Sequence, residues 1–244
     1  MKLNSIMVNI FKKFIKTKTF KKEKAITQEE YDIIKSGMQY SMASWERLYA
    51  NINAIKYLVN SQIEGAIVEC GVWRGGSMLT MLKTLKQYSV INRDIYLYDT
   101  FTGMSTPSKE DGIFAHEKFL ELQTGEDKSN WCCADLNDVK STIKLVDYPQ
   151  EKIHFVKGKI EDTLPNTMPD RISLLRLDMD WHDPTLHALT YLYPKIEPGG
   201  VIILDDYGHW EGCKLAVDRF LEENNISILL NRIDYTGRIG IKLK

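Results

Sequence analysis

From Ala66 onward, short apolar runs alternate with longer segments whose apolar residues recur at helical spacing. The short runs predict five strands, over Ala66–Cys70, Ile95–Tyr98, Ile153–Val156, Ser173–Leu177 and Val201–Leu204. The longer segments predict helices over Ser77–Tyr88, from Asp183 to Tyr193 and over Glu211–Glu223. This alternation is typical of an α/β fold, in which helices cover both faces of a mostly parallel sheet and ligands bind at the carboxyl ends of the strands.

The end of the chain departs from this alternation. Apolar residues alternate near Ile226–Leu230 and Ile239–Leu243, and residues 234–237 between them have the composition of a turn. We expect a C-terminal β-hairpin, which brings the sheet to seven strands. In the helix predicted from Asp183 to Tyr193, Asp183 is expected to be the N-cap and Pro184 the first helical residue.

Residues 1–60 are predicted to form a basic arm followed by two helices. Thr27 and Glu30 have the spacing of a capping box that opens a helix through Tyr40, and a second helix is predicted over 45–59. The arm, residues 1–24, holds eight lysines and one glutamate. Its apolar residues recur at helical spacing, so it is expected to dock on the domain or on a partner subunit. The alternatives are a disordered arm and peripheral contact with an anionic membrane.

Composition places residues 61–244 in one packed α/β domain of ordinary size. Thirty-two Lys and Arg residues against 33 Asp and Glu residues argue against a nucleic-acid partner. The arm lacks the features of a secretory signal, and no stretch has the roughly 18 to 20 apolar residues that span a bilayer. Four cysteines without a CxxC pair suit a reducing compartment. We expect a cytoplasmic protein, acting as a homo-oligomer.

One insertion, Phe101–Trp131, is too long for an ordinary connection between a strand and a helix, and it is rich in polar and small residues. Long loops in compact domains are often functional. We expect a lid over the substrate; the alternative is a mobile surface insertion.

The turn after the first strand is rich in glycine but is not a dinucleotide motif. Glu69 ends the strand, and Gly71, Gly75 and Gly76 do not form G-x-G-x-x-G. Glycines let the backbone approach a ligand closely, whereas an acidic side chain repels a diphosphate and suits a ligand with an ammonium group. S-adenosylmethionine is such a ligand. A nicotinamide oxidoreductase is the disfavoured rival.

Two further acids follow the next strands. Asp99, at the end of the second strand, is expected to accept hydrogen bonds from ribose hydroxyls. Asp162, after the third strand, is expected to reach the adenine amine. Each acid alone is weak evidence, since turn residues of this kind are common without a ligand.

Carboxylates also follow the fourth and fifth strands. Asp178 and Asp180 come after one, and Asp205 and Asp206 after the other, so adjacent parallel strands would bring them together. We expect no comparable group of Lys or Arg beside them, so a cation is the natural compensation. Oxygen ligands in an active site favour octahedral Mg²⁺ or another divalent cation. The alternative is a set of helix caps and surface acids.

A set of motifs carries a family resemblance. These are IVECGVWRGGS, YLYDTF, EDTLP, LLRLDMD, LYPKIEPGGVIILDDYG and AVDRF, in order between about residues 62 and 222. Together they resemble the macrocin O-methyltransferase (TylF-like) family of sugar O-methyltransferases. The resemblance implies a class I methyltransferase (Rossmann-like) fold, S-adenosylmethionine as donor, a divalent metal and a sugar hydroxyl as acceptor.

The resemblance also implies roles for residues at matching positions. The donor is expected to contact Glu69, Gly71, Arg74, Ser77, Asp99, Thr100, Phe101, Asp162 and Asp178. The metal is expected to bind Asp178, Asp205 and Asp206. The chain departs from the family on the acceptor side, where His182 and Pro184 replace an aromatic and a small hydroxyl residue.

The base that takes the acceptor proton is expected to be Asp180, with His182 and His209 as alternatives because imidazole titrates near neutrality. The predicted function is a metal-dependent O-methyltransferase acting on a sugar or a glycosylated substrate. Two other functions remain open: a catechol-like small-molecule O-methyltransferase, and a noncatalytic membrane-associated binding protein.

Overall fold

A computed structural model describes residues 20–244. The predicted amphipathic arm helix therefore lies mostly outside the described residues. The helices are α1 (Gln28–Met38), α2 (Trp45–Asn60), α3 (Gly76–Gln87), α4 (Gly112–Leu122), α5 (Leu136–Ile143), α6 (Ile160–Thr163), α7 (His182–Leu192) and α8 (Glu211–Glu223). The strands are β1 (Ala66–Cys70), β2 (Ile95–Asp99), β3 (Gln123–Gly125), β4 (Lys128–Ser129), β5 (Ile153–Lys157), β6 (Ile172–Leu177), β7 (Ile196–Leu204), β8 (Asn231–Arg232) and β9 (Arg238–Ile241).

The main sheet has seven strands in the order β5-β2-β1-β6-β7-β9-β8. The first five strands are parallel to one another. At one edge of the sheet, β9 runs antiparallel to β7, and β8 runs antiparallel to β9. Successive strand residues face opposite sides, so Ile67 packs in one core with α2 and α3 while Val68 packs in the other with α7 and α8. The predicted fold class, with helices on both faces of a mostly parallel sheet, is confirmed.

The two N-terminal helices form a small core of their own. The capping box of Thr27 and Glu30 is present, with the Thr27 hydroxyl accepting from the Glu30 amide at 3.2 Å. Ile34 of α1 and Leu48 of α2 meet in this core and are fully buried. Among the residues that the structure describes, no helix is both long and apolar enough to cross a membrane.

One predicted strand and one predicted helix cap were wrong. Residues 226–230 form no strand: Ile226, Ile228 and Leu230 pack on the core without pairing to a neighbouring strand, and the hairpin begins at Asn231. Helix α7 begins at His182 without a side-chain cap. The carboxylate of Asp183 instead meets the His182 ring, at 2.7 Å from Nδ1.

The 101–131 insertion is a folded unit. It contains a 3₁₀ turn at Lys109–Asp111, helix α4 and the β3–β4 hairpin. It is anchored to the start of α7, where the His182 amide donates to Asp111 at 2.7 Å and the Trp181 indole donates to the Ser105 carbonyl at 3.0 Å. That it closes over a substrate remains a prediction.

Candidate active site

A large cleft of about 2330 Å³ lies at the carboxyl ends of β1, β2, β6 and β7. Its walls are the turn after β1, the 101–131 insertion, the N-terminal helices and the acidic ends of β6 and β7. This is the edge at which open α/β sheets bind ligands.

The turn after β1 depends on Gly71. This residue has φ +80°, and a Cβ there would lie 1.8 Å from the carbonyl oxygen of Asp178. Only glycine lets β1 and the segment after β6 approach so closely. Gly75, with φ +84°, then caps α3 in the left-handed conformation.

Asp99 holds this turn in shape. Its Oδ2 accepts from the amides of Val72 and Trp73, at 2.7 and 3.1 Å, and its Oδ1 accepts from the Phe101 amide at 2.7 Å. Burial raises the pKa of Asp99, and the three amide hydrogen bonds oppose that rise. Asp99 lines the cleft, as the predicted ribose contact requires.

Other predicted donor residues are divided between the cleft and its surroundings. Arg74, Ser77 and Thr100 line the cleft. Asp138 holds Arg74 in a two-point ion pair, with distances of 2.6 and 3.1 Å. Phe101 is buried in the core beneath the cleft and contributes its amide to Asp99 rather than its ring to a ligand.

Two predicted donor acids do not line the cleft. Asp162 is exposed on α6, and the preceding residue, Glu161, lines the cleft instead. Glu69 is 1% exposed, and its Oε1 lies 2.8 Å from Nη1 of Arg176. Burial, together with the nearby charge of Asp178, raises the pKa of Glu69 to about 8 although Arg176 opposes the rise. Glu69 thus pairs with a cation of the protein itself, the Arg176 guanidinium, and not with the ammonium group of a ligand in the cleft.

The expectation that the carboxylates lack cationic partners was wrong. Arg176, fully buried, contacts Glu69, Asp178 at 2.8 Å, and Asp205. From α2, Arg47 contacts Asp205 on its other oxygen. Arg176 could have been noticed from the sequence, because it is an arginine inside an apolar strand. Arg47 could not, because its contact depends on how α2 packs.

The three predicted metal ligands come together. Asp178, Asp205 and Asp206 each offer a carboxylate oxygen, and these oxygens lie within 4.8 Å of one another. Burial, reinforced by the charge of Asp180, raises the pKa of Asp206 well above its ordinary value. More carboxylates meet here than the two guanidinium groups neutralise, so this all-oxygen set fits a divalent cation.

Asp180 reaches the cleft from the segment that follows β6. Strand β6 ends at Leu177, and Asp180 has the left-handed φ of +62°. Its amide donates to Asp206 Oδ2 at 3.2 Å, and its Oδ1 accepts from the Trp210 indole at 2.5 Å. Burial and the charge of Asp178 raise the pKa of Asp180 to about 7.

The two histidines offered as alternative bases differ in position. His182 is buried, does not line the cleft, and is engaged by Asp183 through its ring. His209 is exposed at the cleft rim, with its ring edge-on to Trp210 and Tyr235.

An aromatic group beside Asp180 was missed from the sequence. Trp131 and Phe114 of the insertion both contact Trp210, with ring centroids 6.0 and 6.1 Å apart, and all three line the cleft. Phe114 is 66% exposed. Aromatic residues at such separations carry no periodic signal, so only the fold reveals the group.

Comparison with known proteins places these features in a family. The sequence model of the family described as Macrocin-O-methyltransferase (TylF) matches residues 2–239, so the match includes the N-terminal arm outside the motifs of residues 62–222. Demethyldecarbamoylnovobiocin O-methyltransferase from Streptomyces niveus is 31% identical over 198 residues, which is 81% of this chain and 74% of that protein.

A second relative is 8-demethyl-8-(2,3-dimethoxy-alpha-L-rhamnosyl)-tetracenomycin-C 4'-O-methyltransferase from Streptomyces olivaceus, 30% identical over 81% of this chain and 74% of that protein. The solved structure of the O-methyltransferase NovP is similar, with a TM-score of 0.74 and 29% identity over 84% of this chain and 83% of that one. The chain therefore belongs to the macrocin-O-methyltransferase (TylF) family and is an O-methyltransferase that uses S-adenosylmethionine.

Proposed function

We propose that this enzyme methylates a hydroxyl of a sugar or glycosylated substrate and that it requires a divalent cation, with Mg²⁺ as the first candidate. The observation that carries the proposal is the convergence of Asp178, Asp205 and Asp206 within 4.8 Å in the same cleft as the glycine turn. The name of the Streptomyces olivaceus relative, a rhamnosyl tetracenomycin methyltransferase, supports a sugar acceptor.

Two of the three carboxylates are already positioned by arginine side chains. Asp178 pairs with Arg176 through Oδ2, and its Oδ1 accepts no hydrogen bond from the described residues. Asp205 forms ion pairs with both Arg47 and Arg176, and these two contacts fix its position. When bound, a divalent cation lowers the pKa of a hydroxyl that it polarises.

The donor side supplies position. The turn at Gly71, shaped by Asp99, would hold S-adenosylmethionine against the ends of β1 and β2. Methyl transfer needs the acceptor oxygen in line with the sulfur–methyl bond, and alignment of this kind accounts for much of the rate.

Asp180 is the proposed base. It lies beside Asp206 at the wall of the cleft, and a carboxylate placed beside a polarised hydroxyl can act as its general base. In the proposed step, the acceptor hydroxyl gives its proton to Asp180 as its oxygen bonds to the methyl carbon, and S-adenosylhomocysteine leaves.

The aromatic group formed by Phe114, Trp131 and Trp210 would face the acceptor. Its rings offer an apolar surface to the C–H face of a sugar ring and exclude water from the reacting oxygen. The exposed ring of Phe114 is the one with most surface left to cover.

The test is an acceptor screen that measures S-adenosylhomocysteine release with Mg²⁺ and with EDTA. The panel holds dTDP-L-rhamnose, methyl α-L-rhamnopyranoside, a glycosylated aromatic natural product and a free catechol. We expect release with at least one sugar compound and its loss in EDTA. Turnover of the catechol alone would overturn the acceptor class, and turnover unaffected by EDTA would overturn the metal requirement.

A further inference from the structure

The Trp210 indole points at the proposed base. Its Nε1 donates a hydrogen bond to Asp180 Oδ1 at 2.5 Å, and an indole nitrogen can only donate. Oδ1 accepts this hydrogen bond, which leaves Oδ2 of Asp180 without an indole donor.

The indole cannot easily turn away. Its ring meets the Trp181 ring edge-on at 5.0 Å and the Trp131 ring edge-on at 6.0 Å, and it stacks on Phe114. Its own backbone amide donates to the Asp206 carbonyl at 3.1 Å. Both ends of the residue are therefore held, and the direction of its N–H is fixed.

Asp180 needs such support. A non-glycine residue at φ +62° adopts a costly backbone conformation, which persists only where its surroundings enforce it. The contacts that enforce it are two hydrogen bonds: the Asp180 amide donates to Asp206, and the Trp210 indole donates to Asp180 Oδ1. Without the indole, the carboxylate could rotate about its side-chain bonds.

We propose that Trp210 is a positioning residue for methyl transfer: it holds one oxygen of Asp180 so that the other faces the acceptor hydroxyl. Because Trp131 and Phe114 belong to the 101–131 insertion, the position of the insertion is transmitted through Trp210 to Asp180. This inference rests on the proposed function, and in particular on Asp180 as the base.

The test compares Trp210→Phe with a control, Trp45→Phe. Both variants replace an indole at the wall of the cleft, but Trp45 begins α2, stacks on Phe20 at 4.6 Å and makes no hydrogen bond to Asp180. With the best sugar acceptor of the screen, Trp210→Phe is expected to lower kcat about 10- to 100-fold. Because Phe keeps an aromatic ring against the acceptor, the acceptor KM and the S-adenosylhomocysteine affinity are expected to stay within about twofold of the wild type. Trp45→Phe is expected to lower kcat less than about threefold.

A double variant separates positioning from a structural role. If Trp210 acts through Asp180, adding Trp210→Phe to Asp180→Asn costs no further activity. A full additional loss in the double variant, or equal kcat losses in the two single Phe variants, would overturn the inference. An Asp180→Asn enzyme with normal kcat would instead refute the base assignment on which it rests.

A crystal structure of Trp210→Phe gives a readout that needs no acceptor. We expect the Asp180 carboxylate to leave its position beside residue 210 or to occupy two orientations, while Asp178 stays in place. An Asp180 carboxylate unmoved in that structure would contradict the positioning role.

Discussion

At the scale of single residues, the guanidinium of Arg176 links the donor side of the cleft to the carboxylate side. It contacts Glu69 at the end of β1 and both Asp178 and Asp205 at the ends of β6 and β7. Breaking a buried ion pair by removing one partner leaves uncompensated charge, which costs about 3–5 kcal/mol. The network is therefore a point of high sensitivity.

We expect Arg176→Ala to lower the free energy of unfolding by about 3–5 kcal/mol, measured by urea denaturation. Arg171→Ala is the matched control, because Arg171 also pairs with a carboxylate, Glu197, but is 55% exposed. An exposed pair of this kind contributes little to stability, so the control should lose much less than Arg176→Ala. Equal losses in the two variants would show that the buried network does not carry the stability assigned to it.

The acids of the site could be predicted from the sequence, but the arginine and tryptophan side chains that contact them could not. Asp178, Asp205 and Asp206 could be predicted to meet because parallel strands end at one edge. Arg47, Trp131 and Trp210 could not be predicted, since their contacts depend on the packing of α2, the insertion and α8 around the cleft.

At the scale of elements, the site depends on how closely β1 and β6 approach beyond their last paired residues. Cys70 and Leu177 are the final partners, and the Asp178 amide then donates to the Cys70 carbonyl at 2.8 Å. Gly71 follows, with no room for a side chain.

Gly71→Ala is expected to destabilise the protein and to weaken S-adenosylhomocysteine binding at least 10-fold in calorimetry. Its Cβ would lie 1.8 Å from the Asp178 carbonyl oxygen, so the donor turn and β6 would have to separate. Gly112→Ala is the control: its φ is similar, +79°, but nothing lies within 4 Å of its added Cβ. The control should lose only the roughly 1–3 kcal/mol of backbone strain that a side chain meets at this positive φ, and it should keep its donor affinity. Equal effects on donor affinity would refute the close-approach explanation.

The elements that sequence reasoning predicted well are those with one buried face. The core strands and α1, α2, α3 and α8 are found within a few residues of their predicted bounds. Helix α4 was not predicted, because Ile113, Phe114 and Leu120 are exposed on it and its apolar residues do not mark one buried stripe.

At the scale of the whole molecule, the converging carboxylates make stability depend on pH. The pKa of Glu69 is raised to about 8 and that of Asp180 to about 7, mainly by burial, from ordinary values of 4.5 and 3.8. At any pH between the ordinary and the raised pKa values, the folded state holds protons that the unfolded chain has released. The folded state is therefore more stable at the lower pH, and its stability is lost as the pH rises to between 7 and 8.

In EDTA, the melting temperature is therefore expected to fall between pH 6 and pH 8.5. Acids with lowered pKa, such as Asp94 and Glu30, contribute fully throughout this window and do not alter the sign. Mg²⁺ should raise the melting temperature more at pH 8.5 than at pH 6, because ionised carboxylates bind it. A melting temperature in EDTA that rises or stays level across this range would contradict the charge assignment.

The central claim is the division of work among neighbouring carboxylates, with Asp178, Asp205 and Asp206 as metal ligands and Asp180 as the base. The direct test is kcat for methyl transfer to the sugar acceptor, measured across a Mg²⁺ titration for the wild type, Asp178→Asn and Asp180→Asn. We expect Asp178→Asn to recover much of its activity as Mg²⁺ rises, by mass action. Asp180→Asn should stay about 10² to 10⁴-fold slower at saturating Mg²⁺. Near-normal kcat for Asp180→Asn at saturating Mg²⁺, or an Asp178→Asn enzyme indifferent to Mg²⁺, would contradict the claim.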